Sequence, residues 1–294
     1  MMRWKILRYT GYCIVIFVFV VTGISFLAGD HLTQVARSTS QLPPEDLGMR
    51  SVPIFSENGR LAAWFIPGES SHGAVLLLHP VRSNKSSMLA RARFLSNEGY
   101  SILLPDMQAH GESEGEQITF GYREAKDVSA AIQKIRELAP GEKVAALGVS
   151  LGAAAIVLSD ANNNFDAVIL ESMFPTIEEA ISNRLRIRFG GLAPLLTPLL
   201  SLQLKSRLHI NSSQLHPIEH MTRFRVPVMI LHGTEDQHTT LEEAKRVFTA
   251  ANPPKEFHAF SGAAHVDLHA FDPQTYESSV CVFLARYLRS SGKT

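Results

Sequence analysis

Short, continuous apolar runs alternate with helical patterns through most of this chain. Continuous apolar strands that alternate with helices are typical of a mainly parallel β-sheet with helices on both faces. Ahead of them, Glu57-Asn58-Gly59 separates two strand patterns, and Asn-Gly is a strong signal for a hairpin turn. The predicted strands are Ser51–Ser56, Arg60–Ile66, Ala74–His79, Ser101–Pro105, Lys143–Gly148, Asp166–Glu171, Val226–His232 and Glu256–Phe260. The predicted helices are Lys85–Asn97, Tyr122–Leu138, Leu151–Asp160, Leu241–Ala251 and Pro273–Leu288.

One segment interrupts the alternation. The roughly 50 residues 174–225 separate two predicted strands, whereas a plain connection needs far fewer. Their apolar stretch, from Leu192 to Leu204, predicts a small helical cap over the carboxyl ends of the strands, where open α/β sheets bind ligands. Within it, Pro194 and Pro198 should limit the helices to short pieces.

The N-terminus has the pattern of a membrane segment. Arg3, Lys5 and Arg8 precede an uncharged run from Tyr9 to Ala28. About 20 apolar residues suffice to cross a bilayer as a helix. We therefore expect an uncleaved signal anchor, with a cleaved signal peptide as the alternative. Positive charge keeps the first residues cytoplasmic and places the rest of the chain across the membrane.

Pattern and composition indicate the domain organisation, and they argue against nucleic-acid binding and against a disulfide framework. We divide the chain into residues 1–28 (signal anchor or signal peptide), the mostly polar linker 29–49, and one globular domain, 50–294. The formal net charge of +0 gives no basic footprint for a nucleic acid. Cys13 and Cys281 are too few and too far apart for a disulfide framework.

Ser150 is the most informative residue. It lies in Gly148-Val149-Ser150-Leu151-Gly152, a G-x-S-x-G pentapeptide between a predicted strand and a predicted helix. On such a tight strand-to-helix turn the glycines avoid steric clashes, and the serine hydroxyl projects above the sheet. Ser150 is therefore the candidate nucleophile.

A serine nucleophile needs a general base and an acid that orients the base. In hydrolases with this turn the acid and then the histidine follow the serine along the chain. Asp236 lies in the loop after one strand, and His265 in the loop after the last strand. We take Asp236 as the acid, with Glu235 as its competitor, and His265 as the base, with His269 as its competitor.

Other histidines need separate interpretation because the chain has 12 of them. His238 follows Asp236 closely and is a candidate to line the site. His79, His110 and His232 each stand near the carboxyl end of a strand, which allows a metal cluster in principle. The ligand spacing of a zinc site is missing, so we interpret them as polar turn residues and predict no metal and no cofactor.

The tetrahedral intermediate of acyl transfer needs two backbone N–H donors. One should be that of Leu151, directly after the nucleophile. The other should come from the loop after the third strand, His79-Pro80-Val81. Since Pro80 has no N–H, Val81 is the first available donor.

From about Leu47 to Leu288 the chain resembles the α/β-hydrolase superfamily. The likeness is closest to serine-aminopeptidase-like and esterase-like members with a membrane-anchored N-terminus. It implies an eight-stranded α/β fold, with Ser150, Asp236 and His265 as nucleophile, acid and base. One departure is His79-Pro80, where the family usually has His-Gly. The motifs that carry the likeness are 58–67, 105–113, 148–152, 231–236 and 262–265.

The cap combines basic and apolar residues. Its basic residues suggest either a solvated helix face or a contact with anionic lipid head groups or an acidic substrate. Its leucines suggest either an acyl pocket or packing of the cap onto the sheet. The basic residues are Arg184, Arg186, Arg188, Lys205 and Arg207, and the leucines are Leu192, Leu195, Leu196, Leu199, Leu200, Leu202 and Leu204.

Together these features predict a serine hydrolase that cleaves a small or lipid-derived carboxylic ester, with its catalytic domain extracytoplasmic, or secreted if the signal is cleaved. A thioesterase and a serine aminopeptidase are alternatives. The peptidase would need a carboxylate for the substrate's α-amino group, for which Glu171, Glu178 and Glu179 are candidates. From another class, the chain could be a catalytically silent binding module.

Overall fold

A computed structural model describes the backbone of residues 2–39, 43–160 and 164–289. The side chains of residues 2–11, 13, 14, 17 and 18 lie outside that description. The predicted positive flank (Arg3, Lys5 and Arg8) and Cys13 are among them.

A single large sheet organises the described residues. Its eight strands run in the order β8-β7-β6-β5-β3-β4-β2-β1. β1 pairs antiparallel with β2, β2 pairs antiparallel with β4, and the other neighbours are parallel. This arrangement confirms the predicted α/β-hydrolase fold. The strands are β1 (Arg50–Ser56), β2 (Gly59–Ile66), β3 (Ala74–Leu78), β4 (Ser101–Pro105), β5 (Val144–Val149), β6 (Ala167–Glu171), β7 (Val228–Gly233) and β8 (Lys255–Phe260).

Helices cover both faces of the sheet, so the central strands are buried throughout. α3, α4 and α8 close one face around a cluster that includes Leu76, Val128 and Val247. α2 and α10 close the other face around Val75, Leu95 and Phe283. The helices are α1 (Met2–Thr33), α2 (Leu89–Asn97), α3 (Glu124–Leu138), α4 (Leu151–Leu158), α5 (Ile177–Phe189), α6 (Ala193–Leu208), α7 (Pro217–His220), α8 (Leu241–Ala250), α9 (Leu268–Phe271) and α10 (Pro273–Leu288).

The predicted cap is a helical hairpin of α5 and α6, joined by the 3₁₀ turn Gly190–Leu192, and is followed by short helical turns. The expectation of short pieces is wrong for α6, which continues through Pro198 for 16 residues. Pro198 removes one backbone donor, but Pro194, whose carbonyl would have accepted it, is exposed and can be hydrated. Thr197 Oγ1 donates to the carbonyl of Ala193 at 2.8 Å in the same turn.

The N-terminal helix α1 continues past Ala28 to Thr33 and attaches directly to the globular domain. The N–H of Ile118 donates to the carbonyl of Thr33 at 2.9 Å. Ala36–Arg37 pairs in parallel with His110–Gly111. Among the described residues, Ile177–Leu208 is long and apolar enough to span a membrane, while Phe19–Thr33 forms a shorter apolar helical stretch.

Candidate active site

Ser150 occupies a strained turn between β5 and α4. Its φ of 50° and ψ of −102° are unfavourable for a residue with a Cβ atom. A Cβ on Gly148 would lie 2.4 Å from the Gly152 backbone, and one on Gly152 would lie 2.5 Å from the Leu78 carbonyl oxygen. The two glycines of the pentapeptide therefore allow β5, α4 and β3 to approach closely enough to form this turn.

The predicted oxyanion donors lie in two loops at the same edge of the sheet. Leu151 is the first residue of α4, where helical N–H groups have no intrahelical acceptor. Val81 follows β3 and packs against the core through its half-buried side chain. Within the described chain, the N–H groups of both residues are free of hydrogen bonds, so both are available to a developing oxyanion.

Asp236 and His265 form the tightest polar contact of the candidate site. His265 Nδ1 lies 2.6 Å from Asp236 Oδ2. The other carboxylate oxygen accepts the N–H groups of His238 and Thr239 at 2.8 and 3.0 Å. Burial raises the pKa of Asp236, but the hydrogen bond and charge of His265 outweigh it and hold the pKa below its ordinary value. An ionised Asp236 accepts a hydrogen bond from Nδ1–H and leaves Nε2 of His265 as the basic atom.

Ser150 lies at the end of β5, while Asp236 and His265 follow β7 and β8 at the same edge. Among the described residues, Ser150 Oγ and His265 Nε2 have no hydrogen-bond partner, so both atoms are available. Contacts between a catalytic base and its nucleophile are often long in ligand-free enzymes. Glu235, the competitor for the acid, is exposed.

His238 lies beside the candidate base. Its ring centroid is 4.9 Å from that of His265. Burial lowers the pKa of His238, as do the charges of Arg184 and His265. The cap reaches the same loop, because Asn183 Nδ2 donates to the His238 carbonyl at 3.3 Å and to Glu243 Oε1 at 2.8 Å.

The remaining candidate histidines have structural partners. Nε2 of His79 accepts the N–H of Met107 at 3.1 Å, and its Nδ1 donates to the Pro80 carbonyl at 2.8 Å. Burial, followed by the charge of His110, lowers the pKa of His79 to about 3. His269, the competitor for the base, packs between Phe94 and Tyr276 rather than beside Asp236. A search of the described residues finds no group of His, Cys, Asp or Glu side chains able to hold a metal ion.

A buried charge network that the sequence did not suggest lies beneath the site. Arg91 of α2 donates to Glu171 Oε1 and Oε2 at 2.9 and 3.0 Å, and to Asp267 Oδ1 at 2.7 Å. Its Nε donates to the hydroxyl of Tyr276 at 2.9 Å. The Glu171 carbonyl accepts the N–H of Ser150 at 2.8 Å, and Asp267 lies two residues after His265. The network therefore links the turn that carries Ser150 to the loop that carries His265.

Each carboxylate proposed as an amine anchor already has a cationic partner or histidine. Glu171 is buried against Arg91. Glu178 lies 2.9 Å from His216, and Glu179 pairs with Arg246. The three glutamates therefore stabilise the fold and the cap, and none is left free for a substrate's amino group.

The chain is similar to known proteins in sequence and in fold. The family model described as serine aminopeptidase, S33, matches residues 69–219. The uncharacterized protein YqkD of Bacillus subtilis is 20% identical over 228 residues, covering 76% of this chain and 75% of YqkD. The uncharacterized protein Rv2307c of Mycobacterium tuberculosis is 27% identical over 241 residues, covering 80% and 79%.

Solved esterase structures share the fold. The Pyrococcus furiosus esterase Pf2001 superposes with a TM-score of 0.71 at 25% identity, over 87% of this chain and 98% of the esterase. An esterase from Thermogutta terrifontis gives a TM-score of 0.59 at 17% identity, over 81% and 99%. The fold, the family match and the esterase neighbours identify the chain as a hydrolase: it belongs to the serine aminopeptidase S33 family of α/β hydrolases.

Proposed function

We propose that the protein is a serine hydrolase that cleaves carboxylic esters through an acyl-enzyme on Ser150. His265 Nε2 removes the Ser150 proton as Oγ attacks the acyl carbon. Asp236 stabilises the imidazolium, and the N–H groups of Val81 and Leu151 stabilise the oxyanion. The C–O bond to the alcohol then breaks, and His265 delivers its proton to the leaving oxygen. Water then gives a proton to His265 as it attacks the acyl carbon. His265 returns that proton to Oγ as the bond to Oγ breaks and the carboxylic acid leaves.

The observation that carries the proposal is the 2.6 Å contact between His265 Nδ1 and Asp236 Oδ2, at the sheet edge where Ser150 occupies its strained turn. The contact orients the imidazole and favours the tautomer that carries its proton on Nδ1, which leaves Nε2 as the acceptor. The strained turn supports the same conclusion, because backbone strain of about 1–3 kcal/mol persists mainly where function requires it. A catalytically silent module would need neither feature.

An ester is favoured over a peptide substrate. An aminopeptidase needs a free carboxylate for the α-amino group, and Glu171, Glu178 and Glu179 are all paired. The solved neighbour with 25% identity is itself described as an esterase, which supports the same choice.

Fluorophosphonate labelling tests the nucleophile. The wild-type protein should be labelled at Ser150, and Ser150→Ala should remain folded and unlabelled. Ser172→Ala is a matched control, since Ser172 is also a buried serine at positive φ, after the neighbouring strand β6. It should label like wild type. Labelling at another serine, or none, would contradict the mechanism. A panel of esters, thioesters and aminoacyl amides would then identify the acyl chemistry.

We further propose that the N-terminal helix anchors the protein and holds its catalytic domain on the extracytoplasmic side. The apolar stretch Phe19–Thr33 and the predicted positive flank support this topology. A reporter fused after Thr294 should be active outside the cytoplasm, and the protein should stay with membranes after a high-salt wash. A soluble mature form that begins near Phe26 would show instead that the segment is a cleaved signal.

A further inference from the structure

The helical hairpin of the cap exposes large apolar side chains. We define the hairpin patch as Ile187, Phe189, Leu192, Leu195 and Leu202. Leu195 and Leu202 are each 72% exposed, Leu192 58%, and Phe189 50%. Single exposed leucines are ordinary on a protein surface, but five large apolar side chains exposed on one short hairpin favour an interaction site.

The other end of the hairpin packs as a normal cap. Leu204 and Leu208 of α6 are buried in a cluster with Ile177 of α5. The hairpin is therefore rooted in the domain, and its large exposed apolar side chains lie near the turn Gly190–Leu192 and along α6 as far as Leu202. This geometry excludes a transmembrane span for Ile177–Leu208, because the stretch folds back on itself and its base belongs to the globular core.

The N-terminal helix packs against the same cap helix. Gln203 Nε2 donates to Ser25 Oγ at 2.9 Å. One turn later, Arg207 donates to Asp30 Oδ1 at 3.1 Å, and its guanidinium lies 3.9 Å from the centroid of the Phe26 ring. The contacts advance in the same direction along both helices. The first half of α6 therefore leaves the contact toward the beginning of α1, the part expected in the membrane.

Charge around the hairpin patch favours one kind of partner. No acidic residue occurs between Glu179 and Glu219, whereas this interval holds five of the chain's arginines and lysines. Arg186 and Arg188 are exposed beside the patch. Apolar side chains flanked by arginine are characteristic of segments that lie in the membrane interface and bind anionic lipid.

We propose that the hairpin patch inserts into the outer face of the same bilayer that holds α1. Its apolar side chains reach the boundary between head groups and acyl chains, at a depth of about 5–10 Å, while Arg186 and Arg188 contact lipid phosphates. The cap contacts the loop that carries Asp236 through Asn183, one helical turn from Ile187. The inference rests on the proposed function and deepens it: the substrate class becomes acyl esters of membrane lipids, drawn from the bilayer.

Site-specific quenching tests the insertion. The full-length protein, with Cys13→Ser and Cys281→Ser, is labelled with an environment-sensitive fluorophore at Leu195→Cys or Leu202→Cys. It is reconstituted into vesicles of phosphatidylcholine with a minor fraction of phosphatidylglycerol. Glu137→Cys is the control, because Glu137 is 65% exposed near the end of α3, at the opposite edge of the sheet.

Nitroxides on the upper acyl chain should quench the labels at 195 and 202, whereas the label at 137 should respond only to a water-soluble quencher. Quenching of all three labels by the water-soluble agent would overturn the proposal. Protection of 195 and 202 from both quenchers would also overturn it, since a second copy of the chain would then cover the patch.

A kinetic comparison separates insertion from esterase activity. Leu192→Ser combined with Leu195→Ser should leave hydrolysis of a water-soluble short-chain ester unchanged, but lower hydrolysis of a vesicle-embedded fluorogenic acyl ester by about fivefold or more. An equal loss with both substrates, or no loss with either, would overturn the role of the patch in substrate access. If the wild-type protein cleaved neither ester, the proposed function would fail, whereas the quenching result would still decide on insertion.

Discussion

Arg91 donates to both carboxylate oxygens of Glu171, at 2.9 and 3.0 Å, in a place where neither side chain reaches solvent. Tyr276 completes the arrangement, because its hydroxyl accepts from Arg91 and donates to Glu171 at 2.8 Å. This pairing stabilises the fold locally, since buried charges are tolerated only when they are paired. The same guanidinium also pairs with Asp267, which lies in the loop that carries His265, so the network reaches the candidate site.

Replacement of Arg91 by methionine should lower the free energy of unfolding by about 3–5 kcal/mol, because it leaves the Glu171 carboxylate buried and unpaired. Arg93→Met is the control: Arg93 is half exposed and pairs with exposed Asp46, so its replacement should change the free energy of unfolding little. Denaturant titration of the detergent-solubilised protein measures both. Glu171→Leu added to Arg91→Met should recover much of the loss, and equal effects of the two arginine variants would refute the argument.

Asp236→Asn should lower kcat for the best ester about 10⁴-fold, or roughly 5 kcal/mol of transition-state stabilisation. Asparagine can offer its amide N–H to His265 and favour the wrong tautomer. Glu235→Gln, one residue away but exposed, should lower kcat by about tenfold or less. KM should change little in both variants. If the Glu235 variant were the crippled one, the assignment of the acid would be wrong while the serine mechanism could stand.

Ser150→Gly should be more stable than Ser150→Ala by about 1–2 kcal/mol, since glycine relieves the strain of a positive φ that alanine retains. Both variants lack the Ser150 hydroxyl, so the comparison isolates the backbone. Ser159, with φ of −74°, is the control position, where glycine should be no more stable than alanine. Thermal or denaturant unfolding measures the stability of each variant. Equal stability of the two Ser150 variants would show that the turn is unstrained in solution.

His79 should make the protein sensitive to acid. Because burial lowers its pKa from 6.5 to about 3, the folded state binds fewer protons than the unfolded state between these values. The contribution of His79 to stability is therefore complete above about pH 6.5 and is lost as the pH drops toward 3. At pH 5 the loss is roughly 2 kcal/mol.

His79→Gln tests this contribution, because a glutamine oxygen can still accept the N–H of Met107 but does not titrate. The free energy of unfolding of wild type minus that of the variant should fall as the pH drops from about 6.5 to 4, because groups that titrate alike in both proteins cancel in this difference. His209→Asn, at an exposed left-handed position that asparagine tolerates, should keep the wild-type dependence. A parallel pH dependence in the His79 variant and wild type would contradict the assignment.

The strands and most helices could be predicted because their burial repeats the periodicity of the sequence. The run 101–105 is buried at every residue, and the predicted limits of α10 agree with the structure. Chain order also brought Asp236 and His265 together, since parallel strands deliver their following loops to one edge of the sheet. These are local patterns or consequences of topology.

Contacts between residues that are far apart in the sequence could not be predicted. Arg91 lies 80 residues from Glu171, and nothing in the spacing of either residue indicates their contact. For that reason the sequence left Glu171 among three candidate anchors of the peptidase alternative, whereas the structure pairs it with Arg91. The continuity of α6 through Pro198 was missed because it depends on exposure of the Pro194 carbonyl, a property of the folded cap. Exposure likewise distinguishes Leu195 from buried Leu204, although both are cap leucines.

The direct attachment of α1 has a consequence for how the enzyme meets its substrate. Arg82, beside Val81, donates to the carbonyl of His31 at 2.9 Å, so the end of α1 is fastened to the loop of a proposed oxyanion donor. A domain on a long flexible tether sweeps a volume, and its encounter rate depends on tether length. A domain attached in this way would explore almost no volume around its anchor. With α1 in a bilayer, the enzyme would search in two dimensions, and the rate of encounter would follow lateral diffusion and the tilt of a single helix.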